Sequence, residues 1–253
     1  MTDGPSSGPI DDGDFDPEKA GLRPKPGRKE TEPFFNLPGL VTGFAVFLVA
    51  VHLVRVFVLT GRQDAWTITA FAFNPIRYTR IGDYMAIPDA AIWSPITYSF
   101  LHGSWMHLFV NLLWLLAFAT PVVRRLGTYK AVLIAILSSL AGAAAHFLAF
   151  TGQWVPMIGA SAIVSGYMGA AVRFAFTGRV GPALNVEGPA QSLGESFSNP
   201  PFLAFLLVWL LVNFVAGVGA ISLPGQHGAI AWQAHVGGFL AGLLSFSLLD
   251  RHR

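Results

Sequence analysis

The sequence predicts an all-α polytopic membrane protein with six transmembrane helices and a partly embedded first loop. Three observations predict it. Of the 253 residues, 53% are hydrophobic and only 12% are charged, where soluble domains carry about 25% charge. The apolar residues gather into long runs, and a run of ~20 apolar residues spans a bilayer core of ~30 Å. Polar, Gly- and Pro-rich stretches punctuate those runs, which is the multi-pass pattern. The formal net charge is +2 with no dense Lys/Arg tract, so nucleic acid is not an expected partner. The chain has no cysteine, which excludes thiolate catalysis, disulfides and cysteine-ligated metals.

Residues 1–36 are rich in Pro, Gly, Asp and Ser and nearly lack aliphatics. They cannot bury enough surface to offset the entropy of ordering, so a disordered cytoplasmic tail is expected there. The first apolar run starts only after this polar segment, so a cleaved secretory leader is not expected. Residues 37–250 then form the membrane domain. The first span is expected over Leu37–Thr60, with His52 and Arg55 snorkelling toward the interface at its end. Residues 61–93 carry Trp66, Phe71, Phe73, Tyr78, Tyr84 and Trp93. That stretch is too polar to span and too aromatic for a plain linker, so it should lie partly embedded at the headgroup level.

The second span is expected over Pro95–Val123, the third over Ala131–Phe150 and the fourth over Ile158–Phe176. A polar loop at 178–200 precedes the fifth, Phe202–Ala220, and the sixth, Ala231–Leu249. Arg124, Arg125, Lys130, Arg173, Arg179, Arg251 and Arg253 fall on one side of this arrangement, and the turns after spans three and five carry no Lys or Arg. The positive-inside rule therefore puts both termini in the cytoplasm. Arg62, Arg77 and Arg80 in the first loop dissent, but long loops weigh less in that rule. No internal repeat suggests a transporter of inverted halves.

Polar groups inside a span are costly and are functional candidates by default, although some merely bond helix to helix. Span two carries His102, His107 and Asn111, span four carries Ser161 and Ser165, and span six carries His235. A serine is a weak nucleophile until a base takes its proton, and histidine is the usual base near neutral pH. Gly238 and Gly242 lie three and seven residues after His235, on one helix face. Ser165 and Gly169 lie four and eight after Ser161, again on one face. Small residues let helix backbones approach closely. Packing these two faces would bring the Ser161 hydroxyl toward the His235 ring. His107 and Asn111, four apart on one face, and the Ser161 backbone N–H would supply donors for a tetrahedral oxyanion.

These residues resemble the rhomboid family of intramembrane serine proteases, over roughly residues 38–250. Its His-x-x-x-Asn pattern of the second helix is matched by His107-Leu-Phe-Val-Asn111, with His102 at the family's spacing before it. Its Gly-x-Ser at the start of the fourth helix is matched by Gly159-Ala160-Ser161. Its Ala-His-x-x-Gly-x-x-x-Gly of the sixth helix is matched by Ala234-His235-Val-Gly-Gly238-Phe-Leu-Ala-Gly242. The resemblance implies a rhomboid-like bundle, a Ser161–His235 dyad with no third acid, an oxyanion site at His107 and Asn111, and an embedded first loop.

The chain also departs from that pattern. Ala162 stands where a glycine often follows the nucleophile, Ser165 where an aromatic usually stacks on the base, and Trp93-Ser94 where many members have Trp-Arg. Ser165 has two readings: its hydroxyl accepts the N–H of the second His235 nitrogen, or it bonds a backbone carbonyl and saves space. Ser165-Gly166 could itself mimic a nucleophile site, but it lacks the glycine two residues earlier. His146 and His227 are assigned to packing and loop solvation, and Met157 and Met168 to packing. No metal and no cofactor is expected.

The favoured expectation is a serine endopeptidase cutting transmembrane segments of other proteins, with those proteins and the lipid bilayer as partners. Its setting would be a bacterial inner membrane. A non-catalytic relative that binds and escorts client transmembrane helices is the alternative, and a channel or transporter is disfavoured because no charged pathway runs through the spans.

Overall fold

Nine α-helices and two short 3₁₀ turns account for most of the described chain in the computed structural model, which describes residues 37–79, 87–177, 188–219 and 231–250. All of these belong to one compact unit, Leu37–Arg253. The tail at 1–36, Arg80, Arg179, His227 and the terminal Arg251, His252 and Arg253 lie outside the described residues.

Helix α1 (Gly39–Phe57) is the first span. α2 (Gly61–Phe71) opens the first loop, and the sequence shows why it starts there: Thr60 accepts from Gln63 N while the Gln63 side chain accepts from Thr60 N. That reciprocal capping box satisfies two orphan N–H groups. A 3₁₀ turn at Pro75–Tyr78 and α3 (Ala90–Thr97) follow. α4 (Trp105–Leu126), α5 (Thr128–Ala149), α6 (Ser161–Ala175), α7 (Leu193–Phe197), α8 (Pro200–Gly217) and α9 (Trp232–Leu249) complete the fold.

Five helices, α1, α4, α5, α8 and α9, are long and apolar enough to cross a membrane, so this is a multi-pass membrane protein. The fourth expected span differs. α6 has 15 residues, about 22 Å at 1.5 Å per residue, and so is shorter than a bilayer core. It is also the centre of the bundle, with every residue from Ala162 to Phe174 buried. α9, α5 and α4 pack around it, whereas α8 buries only Phe202. Leu207, Val208, Leu211 and Phe214 of α8 stand exposed, as lipid-facing side chains do.

The second span is the main correction to the sequence reading. The apolar run from Pro95 is not one helix. α3 ends at Thr97, a 3₁₀ turn covers Tyr98–Phe100, and the chain is extended at Leu101 before α4 begins at Trp105. Gly103 and Ser104 cause the break. The Ser104 hydroxyl accepts from His107 N at 3.1 Å, so Ser104 starts a new helix as its N-cap. His102 therefore lies in the connection before the span and not within it.

Arg55 and His52 are corrected as well. Arg55 does not reach out to the interface. Its guanidinium grips the Asp64 carboxylate at 2.7 and 3.2 Å and donates to the His102 carbonyl at 2.8 Å, tying α1 and α2 to the start of α4. A largely buried cation needs such partners. His52 is buried and meets the Trp105 ring edge to face, with centroids 4.5 Å apart.

The basic ends converge. Arg125 at the end of α4 pairs with Asp250 just past α9 at 2.8 Å. Lys130 at the start of α5 donates to the Leu249 carbonyl. Arg173 at the end of α6 donates to the carbonyls of Leu243 and Gln191. The N-termini of α4, α6 and α9 thus share the opposite end of the bundle.

Candidate active site

α6 begins just after a turn at Gly159. Gly159 has φ +127°, a conformation that residues with a side chain rarely adopt. It also has no room for one, because a Cβ there would lie 2.8 Å from the His107 ring and 3.7 Å from the Ser161 hydroxyl. This is the physical content of Gly159-Ala160-Ser161: only glycine turns the chain there and lets it touch His107. The turn is held on both sides. Gly159 N donates to the Tyr98 carbonyl at 2.9 Å, and Ala160 N reaches His102 Nε2 at 3.4 Å. Phe73 and Met157 exchange backbone hydrogen bonds of 3.1 and 2.7 Å, so the first loop is stitched to the same segment.

Ser161 is the first residue of α6. Its backbone N–H is one of those with no partner inside the helix, at the positive end of the helix dipole. α9 packs on α6 through backbone contact. A Cβ on Gly238 would strike the Ala162 carbonyl, one on Gly242 would strike the Gly166 carbonyl, and one on Gly169 would strike the Phe239 carbonyl. On α9 these are the glycines singled out by the sequence. On α6 the contact stripe is Ala162, Gly166 and Gly169, rotated one residue from the Ser161–Ser165 face. That rotation leaves both hydroxyls facing a cavity and not the helix interface.

The cavity has a volume of about 300 Å³, and Ser161, Ser165, His107, Asn111 and His235 all line it. Val110, Val164, Met168 and Trp209 supply apolar wall. The structure therefore gathers the candidate nucleophile, base and oxyanion donors from α4, α6 and α9 around one space. Among the described residues, no hydrogen bond joins Ser161 to His235. His102 is the exception to the cluster: it is buried behind the turn and holds the Ala160 backbone.

Hydrogen bonds fix several orientations. His107 Nδ1 accepts from Gly103 N at 3.4 Å, which leaves the proton on Nε2. Asn111 Nδ2 donates to the His107 carbonyl at 2.8 Å and has a second N–H to give. The ring nitrogen of His235 that the sequence left to Ser165 is taken by another residue. Asn213 of α8 places Oδ1 2.5 Å from His235 Nδ1. Asn213 escaped the sequence reading because it matches no motif, yet a signal existed: it is the lone strongly polar side chain in the interior of the apolar run Phe202–Ala220.

Arg77 does more than its charge in the sequence suggests. It is buried and donates to the Ile87 and Thr69 carbonyls at 2.7 and 2.6 Å, while Trp93 Nε1 donates to the Ala70 carbonyl. Together they anchor the first loop, and Ser94 lies buried beside Tyr78. His146, assigned to packing, is buried and its Nε2 meets the Val155 carbonyl at 2.9 Å. Among the described residues no group of three His, Asp or Glu is placed to hold a metal ion.

Comparison with known proteins agrees with this architecture. The Rhomboid domain model matches residues 89–251, more than half of the chain. "Rhomboid protease GlpG" of Yersinia pestis (strain Pestoides F) is 24% identical over 200 residues, covering 79% of this chain and 59% of that protein. The protein of the same name from Yersinia enterocolitica serotype O:8 / biotype 1B is 30% identical over 153 residues, covering 60% of this chain and 46% of that protein. The aligned part of the chain thus spans about half the length of these curated relatives. With the family model spanning the helices that build the cavity, the chain belongs to the rhomboid family.

Proposed function

We propose that this protein is an intramembrane serine endopeptidase that hydrolyses peptide bonds in or near transmembrane segments of other membrane proteins. The observation that carries the proposal is the shared cavity of Ser161, His235, His107 and Asn111. His235 takes the proton of Ser161 as Oγ attacks the scissile carbonyl. Catalytic hydrogen bonds are often long before substrate binds, so the dyad closes on the reacting complex. The oxyanion that forms receives the Ser161 N–H, the His107 Nε2–H and the free N–H of Asn111. His235 then returns its proton to the leaving amine. The acyl-enzyme is hydrolysed by water that His235 activates in turn.

No third acid is required, and no metal or cofactor enters the reaction. Substrate helices reach the cavity from the lipid and unwind locally, because the peptide bonds of an intact helix are shielded. The bacterial relatives and the cluster of Arg125, Lys130 and Arg173 support an inner-membrane setting with both termini cytoplasmic. The cavity then opens toward the periplasmic side.

Purified protein in detergent should label with a fluorophosphonate probe, with the adduct mapped by mass spectrometry to Ser161. Ser161→Ala and His235→Ala should each abolish labelling and cleavage of a model transmembrane substrate while remaining folded, because nucleophile and base act as one unit. A Ser161→Ala protein that still cleaves, free of contaminating protease, would falsify the assignment.

A further inference from the structure

We infer that Asn213 is a positioning residue for the reaction proposed above, holding His235 in the tautomer that carries its proton on Nδ1 and leaves Nε2 as the basic nitrogen. The inference rests on that proposed reaction. It starts from the orientation of one amide. Asn213 Nδ2 donates to the Trp209 carbonyl one turn earlier at 2.8 Å. A carbonyl only accepts, so the amide nitrogen must face Trp209 and the amide oxygen must face His235. Oδ1 has no proton to give. The bond to Nδ1 therefore exists only if Nδ1 is the donor, and a neutral imidazole with its proton on Nδ1 has a bare Nε2.

The placement of Asn213 is built and not incidental. α8 makes few contacts, yet the Trp209 ring stacks on Phe239 of α9 with centroids 4.7 Å apart, one turn from the amide. That stack sets the height of Asn213 against His235. An amide in an apolar helix at membrane depth is costly unless partnered, and both ends of this one are used. Among the described residues His235 has no other such restraint. Among the described residues no aromatic ring packs on it, and the position one turn after Ser161 is Ser165, whose hydroxyl makes no bond to the ring. The competing role is a plain staple between α8 and α9.

The two roles separate in experiment. In wild-type protein labelled with ¹⁵N-histidine and held in detergent micelles, NMR should show His235 protonated at Nδ1 and bare at Nε2. Asn213→Leu removes the acceptor at similar volume and should slow fluorophosphonate labelling of Ser161 about tenfold, and cleavage through kcat with KM unchanged. Asn213→Asp keeps an acceptor and should recover most of that rate. A proton found on Nε2 in the wild-type protein overturns the inference, even if Asn213→Leu does not fold. So does a wild-type rate in Asn213→Leu, or an equal loss in the Leu and Asp variants, which marks a packing role. Ser161→Ala run alongside keeps the two proposals apart: its silence with a normal Asn213→Leu removes only the role of Asn213, whereas its activity removes the reaction itself.

Discussion

A Cβ on Gly159 would lie 2.8 Å from both Cε1 and Nε2 of His107, so the turn before the proposed nucleophile and the proposed oxyanion donor are fitted to each other. Gly159→Ala is therefore expected to do two kinds of damage. The positive φ becomes strained, at ~1–3 kcal/mol of stability. The added methyl also pushes His107 from the cavity, and a lost oxyanion donor typically costs ~10²–10³ in kcat. Thermal unfolding and fluorophosphonate labelling on the same preparation measure both. A variant with unchanged labelling would mean that His107 does not act from its observed place.

Removing the donors directly is the sharper experiment. His107→Ala and Asn111→Ala should each lower kcat by ~10²–10³ with Ser161 still reacting slowly with the probe. The double variant should lose less than the product of the two, because the Asn111 amide bonds the His107 carbonyl and the pair is coupled. Normal kcat in both single variants and in the double would place the oxyanion site elsewhere.

Ser165 now has a clear expectation. Asn213 occupies His235 Nδ1, so the Ser165 hydroxyl is not the partner that sets the tautomer. It is buried, lines the cavity and sits beside the tightly packed α6–α9 contact. Ser165→Ala should change kcat by less than about twofold, well under the tenfold that ~1.4 kcal/mol represents. Ser165→Phe should impair folding or activity by overpacking, at ~1–3 kcal/mol. A large kcat loss in Ser165→Ala, with thermal stability intact, would restore the orienting role.

The contrast between Ser165 and Asn213 shows what the sequence could and could not carry. Runs of apolar residues located four of the five membrane-length helices to within a few residues, because burial in lipid constrains composition directly, but they placed the start of α4 ten residues too early, at Pro95 and not at Trp105. The glycines at 159, 238 and 242 were legible because each stands where a side chain has no room, Gly238 and Gly242 against the backbone of α6 and Gly159 against the His107 ring. The break at Leu101–Ser104 is short enough to be absorbed into one apolar run, although His102-Gly103-Ser104 interrupts that run and the Ser104 cap was there to read. Asn213 and Arg55 act through partners 22 and 9 residues away, and such pairings depend on how helices are rotated, which one sequence does not state.

Orientation in the membrane is open to direct measurement. Arg125, Lys130 and Arg173 converge with the end of α9 at one end of the bundle, and the cavity lies at the helix N-termini opposite. Reporters that function only in the cytoplasm should work when fused after residue 253 or inserted at Gly188. A periplasm-only reporter active at either site would invert the proposed topology.

Gly43 and Gly242 look alike in sequence and differ in surroundings. Gly43 lies on the exposed face of α1, with nothing within 4 Å of where a Cβ would sit. Gly242 lies in α9 against the Gly166 carbonyl of α6, where a Cβ would collide with backbone. Helix propensity alone favours alanine over glycine by ~0.8–1.0 kcal/mol at both positions. At Gly43 nothing opposes that term, so Gly43→Ala should leave stability unchanged or raise it by up to ~1 kcal/mol. At Gly242 the two helices must separate to admit the methyl. The clash is with backbone and not with a flexible side-chain tip, so no rotamer change relieves it. Such overpacking costs typically ~1–3 kcal/mol and outweighs the propensity gain. Because α9 carries His235 and α6 begins at Ser161, separating them also pulls the proposed base from the proposed nucleophile. Gly242→Ala should therefore lose both stability and labelling, while Gly43→Ala keeps both. Equilibrium unfolding and probe labelling in the same detergent decide it, and equal behaviour of the two variants would mean that the α6–α9 backbone contact is not as close as described.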